Sequence, residues 1–194
     1  MNSYGVGARQ RRADAYRLRD RCPLCPGYVP VDHDDQGSSQ TVEYAYDDWT
    51  IARMARALGR NDVAAAFEKR ALNWTNVFDA KAGFVRPRLA SGNYLEPFDP
   101  ARAGQGSGFA EGNSWQYSWY QPQDEGGLIR RLGGDGKLVA RLDAMFNAKV
   151  DPKQYADVED ISGMIGQYIH GNEPSHHLSY LTTTPVRRGA RRSG

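Results

Sequence analysis

From Gln40 to Leu58 the apolar residues Val42, Ala45, Tyr46, Trp49, Ala52 and Leu58 fall on one face of a helix, and Gly59 supplies a stop. A second apolar series follows at helical spacing, Val63, Phe67, Ala71, Trp74 and Phe78, with Asn61 or Asp62 placed to cap it. Two amphipathic helices joined by Gly59-Arg60-Asn61 make an αα-hairpin. The period is then lost from Asp79 to Asn113, a stretch rich in Gly and Pro. Such a length exceeds an ordinary connection and marks either function or disorder. Its aromatic and charged residues, Phe84, Arg86, Arg88, Tyr94 and Phe98, argue against disorder. Helical spacing returns at 114–121, 125–132 and 137–146, and a last pair is expected over 161–169 and 175–181. No strand-rich block and no internal repeat is visible. The pattern predicts an all-α chain, one part of a toroid of helix hairpins with long loops on one side.

Composition changes this picture little. The 194 residues are 40% hydrophobic and 25% charged, with a net charge of +2, so no broad basic or acidic face is expected toward nucleic acid or a membrane surface. No apolar run approaches the roughly 20 residues that cross a bilayer. The first 26 residues are basic, lack an apolar signal-peptide core and carry no clear period. Cys22 and Cys25 form a lone Cys-Pro-Leu-Cys, half of what a zinc ribbon needs. Residues 182–194 form a loose basic tail.

Three polar clusters carry the candidate chemistry, each at a helix edge. In Glu43-Tyr44-Ala45-Tyr46-Asp47-Asp48-Trp49, Glu43 and Asp47 are four apart and share a face without a basic residue between them. Like charges so stacked cost stability, which points to a ligand, a cation or a buried partner, against the plainer reading of a solvated acidic face. In the second cluster, 109–117, Glu111 stands between a Gly-rich loop and a helix start, flanked by aromatics. It reads as a general acid if burial keeps its proton on, or as a helix N-terminal acid facing the macrodipole.

The third cluster is His170-Gly171-Asn172-Glu173-Pro174-Ser175-His176-His177, which holds three of the four histidines. A zinc site of the His-Glu-x-x-His kind needs an unbroken helix, and Gly171 and Pro174 interrupt it. Pro174 fits better as the first residue of a new helix capped by Asn172 or Glu173. Oxygen donors from Asn172 and Glu173 suit Ca²⁺ better than zinc.

These clusters, taken in order, resemble glycoside hydrolase family 92. The similarity runs through Gly27-Tyr28-Val29-Pro30, the 41–49 cluster, Phe84-Val85-Arg86-Pro87-Arg88 and Pro97-Phe98-Asp99-Pro100. It continues through 111–117, 160–168 and 170–177, covering residues 27–181. The resemblance implies a periplasmic or extracellular exo-α-mannosidase, α-1,2-mannosidase-like and acting on N-glycans, that inverts the anomeric carbon and depends on Ca²⁺. It implies an N-terminal β-sandwich joined to an (α/α)6 barrel. By motif, Glu111 corresponds to the general acid. Glu173, with Asn172, corresponds to the calcium and mannose site, and Asp47, Trp115 and His176 to the pocket lining.

The departures set further expectations. The family's general base lies on a Gly-Asp-x-Asp segment downstream of the His-His motif, so it is absent from this chain, as is the β-sandwich. The resemblance therefore predicts a partial catalytic domain, inactive alone, whose uncovered helix faces favour self-association. Two rival readings remain: a glycan-binding fragment without catalytic duty, and a zinc hydrolase using the three histidines. The tail from Thr182 to Arg188 can be regrouped one base earlier to spell Tyr-Asn-His-Ala-Gly-Ala-Pro, which predicts a frame shift there.

Overall fold

The structure, a computed structural model, describes residues 27–155, 158, 161 and 163–181. The segment 1–26 with Cys22 and Cys25, and the basic tail, lie outside the described residues.

Helix α1 spans Gly37–Ala57 and α2 spans Asn61–Arg70. Val42, Ala45, Asp48, Ala52 and Ala55 of α1 are buried at spacings of three and four, which turns one stripe of the helix inward. Asp48, with 0% exposure, meets Arg70 of α2 through two contacts of 3.0 and 3.2 Å. This ion pair, buried at Asp48 and partly exposed at Arg70, crosses the hairpin, so Asp48 serves structure where its cluster had suggested a ligand site.

Neither Asn61 nor Asp62 caps α2 with its side chain. The Asn61 oxygen instead accepts from Arg56 Nη1 at 3.1 Å, and Asp62 sits in the first turn, where a negative charge is favoured. The helix also ends earlier than its apolar series. A 3₁₀ turn, Asn73–Asn76, carries Trp74 into the core, and the chain then enters strand β1, Phe78–Asp79.

Strand β1 pairs antiparallel with β2, Phe84–Val85. The segment to Asn113 contains no helix, as its composition predicts, and is organised around two arginines. Arg86 binds Asp79 at 2.9 Å and Glu96 at 2.6 Å, and its guanidinium lies over the rings of Tyr94 and Phe98. Arg88 donates to the carbonyls of Gly92 and Asn76 and lies over Tyr28. Stacked, multiply bonded guanidinium groups order a loop that has little regular structure of its own.

Helix α3 is a single turn, Ser114–Tyr117, shorter than the expected 114–121. Helix α4, Glu125–Leu132, starts where Asp124 accepts from the Gly127 amide at 3.0 Å. Helix α5, Asp135–Phe146, buries Leu138, Leu142 and Met145, four and three apart. A contiguous core joins α1, the Trp74 turn, β1–β2 and α3–α5, and it includes Tyr168, Leu178 and Leu181 from the C-terminal part.

The C-terminal part departs most from expectation. In place of a helix over 161–169 there is a hairpin, β3 (Met164–Ile165) paired with β4 (Tyr168–Ile169). The reason is a close approach: a Cβ on Gly166 would lie 2.2 Å from the Met145 carbonyl oxygen and 2.5 Å from that of Phe146. Gly166 takes φ +58, which a helix cannot use, and the next amide, Gln167, donates to the Met145 carbonyl at 2.8 Å. The end of α5 thereby fixes the turn. Over 175–181 the chain forms a 3₁₀ turn, Glu173–Ser175, with Pro174 near its start, and then one turn of helix α6, Leu178–Leu181.

The protein is thus mostly helical with few short strands, and the all-α expectation is corrected by the two small hairpins. Among the described residues no helix is long and apolar enough to cross a membrane.

Candidate active site

The site is built around the turn that carries Glu111 into α3. Asn113 caps that helix: its Oδ1 accepts from the Trp115 amide at 2.9 Å, and the Gln116 side chain reciprocates on the Asn113 amide at 2.8 Å. Asn113 is fully buried, and its Nδ2 lies within 3.3 Å of the Ala101 carbonyl, the Tyr155 hydroxyl and Gln167 Oε1. Gln116 donates to the Gln167 carbonyl at 2.5 Å. The hairpin that Gly166 makes possible therefore holds the Glu111 turn through Gln167. A polar network this buried and this fully bonded restricts the turn to one conformation.

The Glu111 main chain is held from the third cluster, because Asn172 Nδ2 donates to its carbonyl at 2.6 Å. Its side chain meets Tyr117. The Tyr117 hydroxyl lies 3.3 Å from Glu111 Oε1 and 3.1 Å from Glu43 Oε1 of α1. Tyr117 has 0% exposure and stacks on Phe109 at 5.4 Å. Burial first, and the Glu43 and Glu111 carboxylates second, push this phenol far above its ordinary range, so it remains a neutral donor.

Around this hub stand Tyr120 and Tyr46, with rings 6.2 Å apart, and His177, whose ring is 6.3 Å from Tyr120. Tyr120 is also raised above its ordinary value, by burial and then by Glu43, Tyr46, Asp47 and Glu111. The arrangement thus brings residues of all three clusters to one place, with Asp47 exposed on α1 beside it.

The remaining predicted residues divide. Asn172 is buried and Glu173 exposed on the same turn, and His176 is exposed with its ring 5.6 Å from that of His170. Trp115 packs elsewhere, edge-on to Phe84 at 4.9 Å with the Arg141 guanidinium 5.1 Å away. The three histidines do not converge: His170 Nδ1 pairs with the Tyr168 hydroxyl, while His177 Nε2 bonds the Trp119 carbonyl at 2.7 Å. Among the described residues no group of three or more His, Cys, Asp or Glu is arranged to hold a metal. Zinc chemistry on these histidines therefore has no support.

Sequence reasoning singled out Glu43 without a role, placed His177 only among the three histidines of a zinc reading, and gave no role to Tyr117, Tyr120 and Gln167. The stacked charges of Glu43 and Asp47 were the available signal. They did not reveal the phenol that receives one of them.

Burial holds the His177 imidazole below its ordinary value of 6.5, against the opposing effects of the Trp119 carbonyl and Glu125. The folded state therefore favours the neutral ring. The stability this contributes is complete above the unfolded-state value and is lost as pH falls from there through the folded-state value. Thermal midpoints compared at pH 7.5 and 5.5 should fall more for the native chain than for His177→Gln, which keeps an N–H for Trp119 and does not titrate. Equal falls would remove His177 as the cause.

Residues 15–184 match the glycosyl hydrolase family 92 catalytic domain. A family GH92 α-mannosidase from Bacteroides thetaiotaomicron is 42% identical over 80% of this chain and 20% of its own, with a TM-score of 0.70. That enzyme has also been solved in complex with mannoimidazole, matching with a TM-score of 0.72. An inverting family GH92 mannosidase of the same organism is 34% identical over 89% of this chain and 24% of its own, with a TM-score of 0.72. An uncharacterized secreted glycosidase of Arthroderma benhamiae is 28% identical over 185 residues, 80% of this chain and 21% of that protein. The chain spans between a fifth and a quarter of the length of these relatives.

Proposed function

The chain belongs to glycosyl hydrolase family 92, within its catalytic domain, and on that premise we propose that it carries the acid side of a calcium-dependent, inverting exo-α-mannosidase site, α-1,2-mannosidase-like, in which Glu111 is the general acid. The observation that supports this most is the convergence of Glu111 and Glu43 on the single O–H of Tyr117. One phenol proton can point to only one of the two carboxyl oxygens at a time. If Glu111 carries a proton, it donates to the Tyr117 oxygen while Tyr117 donates to Glu43, and each oxygen has a partner of the right sense. A protonated carboxyl, held at a rigid turn, is what departure of a glycosidic oxygen requires.

In an inverting reaction a second carboxylate activates water on the far face of the sugar ring. No described residue is assigned that duty. Asp47, exposed and close enough to act on Tyr120, and His176, exposed and next in the chain to His177, are proposed to line the sugar pocket. Trp115 is proposed to line it too, less directly, since its ring packs on Phe84.

For calcium, the donors at Asn172 and Glu173 fit in kind, being an amide oxygen and an exposed carboxylate on one turn. Asn172 Nδ2 is committed to the Glu111 carbonyl, which leaves Oδ1 as the oxygen able to ligate. Two such residues supply part of a coordination set. A bound ion would grip adjacent sugar hydroxyls and orient the ring. The link from Asn172 to Glu111 would then join the ion's position to that of the acid.

The reading is tested in the full-length enzyme carrying this segment. Hydrolysis of an α-mannoside followed by proton NMR should show β-mannose as the first-formed anomer. Chelation should abolish turnover, and Ca²⁺ should restore it. α-Mannose as first product, or restoration by Zn²⁺ alone, would overturn the assignment. Mannoside binding without turnover would favour the glycan-binding alternative.

A further inference from the structure

Glutamate has three rotatable bonds, and a carboxyl that works on one glycosidic oxygen must be held to within about half an ångström. The main chain of Glu111 is fixed by the Asn172 bond to its carbonyl and by the buried cap that follows it. That leaves the tip of the side chain. One described group that meets it is the Tyr117 hydroxyl, 3.3 Å from Oε1.

Tyr117 is itself immobilised. Its ring stacks on Phe109, its edge meets Tyr120 at 6.4 Å, and its amide donates to the Asn113 carbonyl at 3.1 Å. Full burial denies the hydroxyl any bulk water, so its direction is set by Glu43, 3.1 Å away on α1 and 74 positions distant in sequence. Bringing two carboxyl groups out of water to one buried phenol costs free energy. Glu43 alone would take up the phenol's proton, so pairing that proton does not call for the second.

We propose that Tyr117, held from its far side by Glu43, is the positioning residue that fixes the Glu111 carboxyl in its working orientation. The proposal rests on the reading of Glu111 as the acid. Tyr117 does not touch substrate. It acts by limiting the rotamers of the group that does, and α1 contributes Glu43 as the fixed end of the tie.

The experiment compares two substrates in the full-length enzyme: an unactivated α-linked mannobiose, and an aryl α-mannoside whose leaving group departs without a proton. Tyr117→Phe keeps the ring and removes the O–H. Loss of one hydrogen bond to a charged or proton-sharing group predicts a fall in kcat of about ten- to a hundredfold on the mannobiose. KM should change little, and the aryl mannoside should lose much less. An equal loss on both substrates, a rise in KM with kcat intact, or no loss would overturn the proposal.

Because Tyr117 is buried, the partly exposed Glu43 provides a second pair of variants. Glu43→Ala should reproduce the leaving-group pattern. Glu43→Gln, which keeps an acceptor for the phenol, should restore most of kcat. Identical behaviour of the two would overturn the tie through Glu43. Glu111→Gln on the same substrates separates the two levels. If that variant shows no leaving-group dependence, the acid assignment itself falls. If it does while Tyr117→Phe resembles the native enzyme, only the positioning role falls.

Discussion

Glu111→Gln in the full-length enzyme is expected to cut turnover of an unactivated α-mannoside by about 10²–10⁴-fold, the usual contribution of a positioned general acid. Gln is isosteric with Glu, so Asn172 still bonds the main-chain carbonyl and the cap at Asn113 remains. What is lost is the transferable proton. The deficit should therefore shrink on a substrate with a good leaving group, whose departing oxygen needs no protonation. Equal deficits on the two substrates would mean that Glu111 binds or shapes the pocket and does not donate a proton. Thermal midpoints should stay close to native. The glutamine amide can still offer the Tyr117 oxygen an N–H, as the protonated acid would.

Gly166→Ala should be the most damaging single-methyl change in the described core. At φ +58 an alanine incurs the left-handed penalty of roughly 1–2 kcal/mol. Its Cβ would also stand 2.2 and 2.5 Å from two main-chain oxygens at the end of α5, and main chain cannot swing aside as a side-chain tip can. Separating the hairpin from α5 strains packing and breaks the bond from Gln167 to Met145. The sum is roughly 3–5 kcal/mol. Gly59→Ala is the matched control, since Gly59 has φ +71 and a Cβ there would meet nothing within 4 Å. It should lose only the backbone penalty. Denaturant unfolding of the two variants measures the difference, and similar losses would refute the close approach as the reason for Gly166. The same variant should also lower activity, because Gln167 loses its register and with it the hold on Asn113 and Gln116.

Much of the helical part was legible because it is local. The Val42, Ala45 and Ala52 part of the α1 stripe, its stop at Gly59, the start of α4 after Asp124 and the span of α5 each depend on residues within a few positions, whereas Leu58, expected on the same stripe, is exposed. The same holds for the absence of helix from 79 to 113, where Gly and Pro spacing decides. The apolar series past Arg70 misled for a related reason. Trp74 and Phe78 are buried as expected, but a 3₁₀ turn and a strand deliver them to the core as well as a helix would. Periodicity over a few residues does not distinguish those routes.

The sequence by itself determined the family, through long motifs in order, and with it the identity of Glu111, Asn172 and Glu173 as the residues to watch. It also determined the α1–α2 hairpin, because helical spacing and turn chemistry act over one or two turns of chain. The tertiary structure alone decided that 164–169 is a hairpin, since the reason lies in the α5 carbonyls against Gly166. It alone turned Asp48 toward Arg70 and His177 toward Trp119. It alone brought Glu43 to Tyr117, across 74 positions of chain, and through Tyr117 to Glu111. A hydrogen bond at that separation leaves no spacing to read. It exists only when α1, the Glu111 turn and the Asn172 turn pack against one core, and the packing sets its geometry.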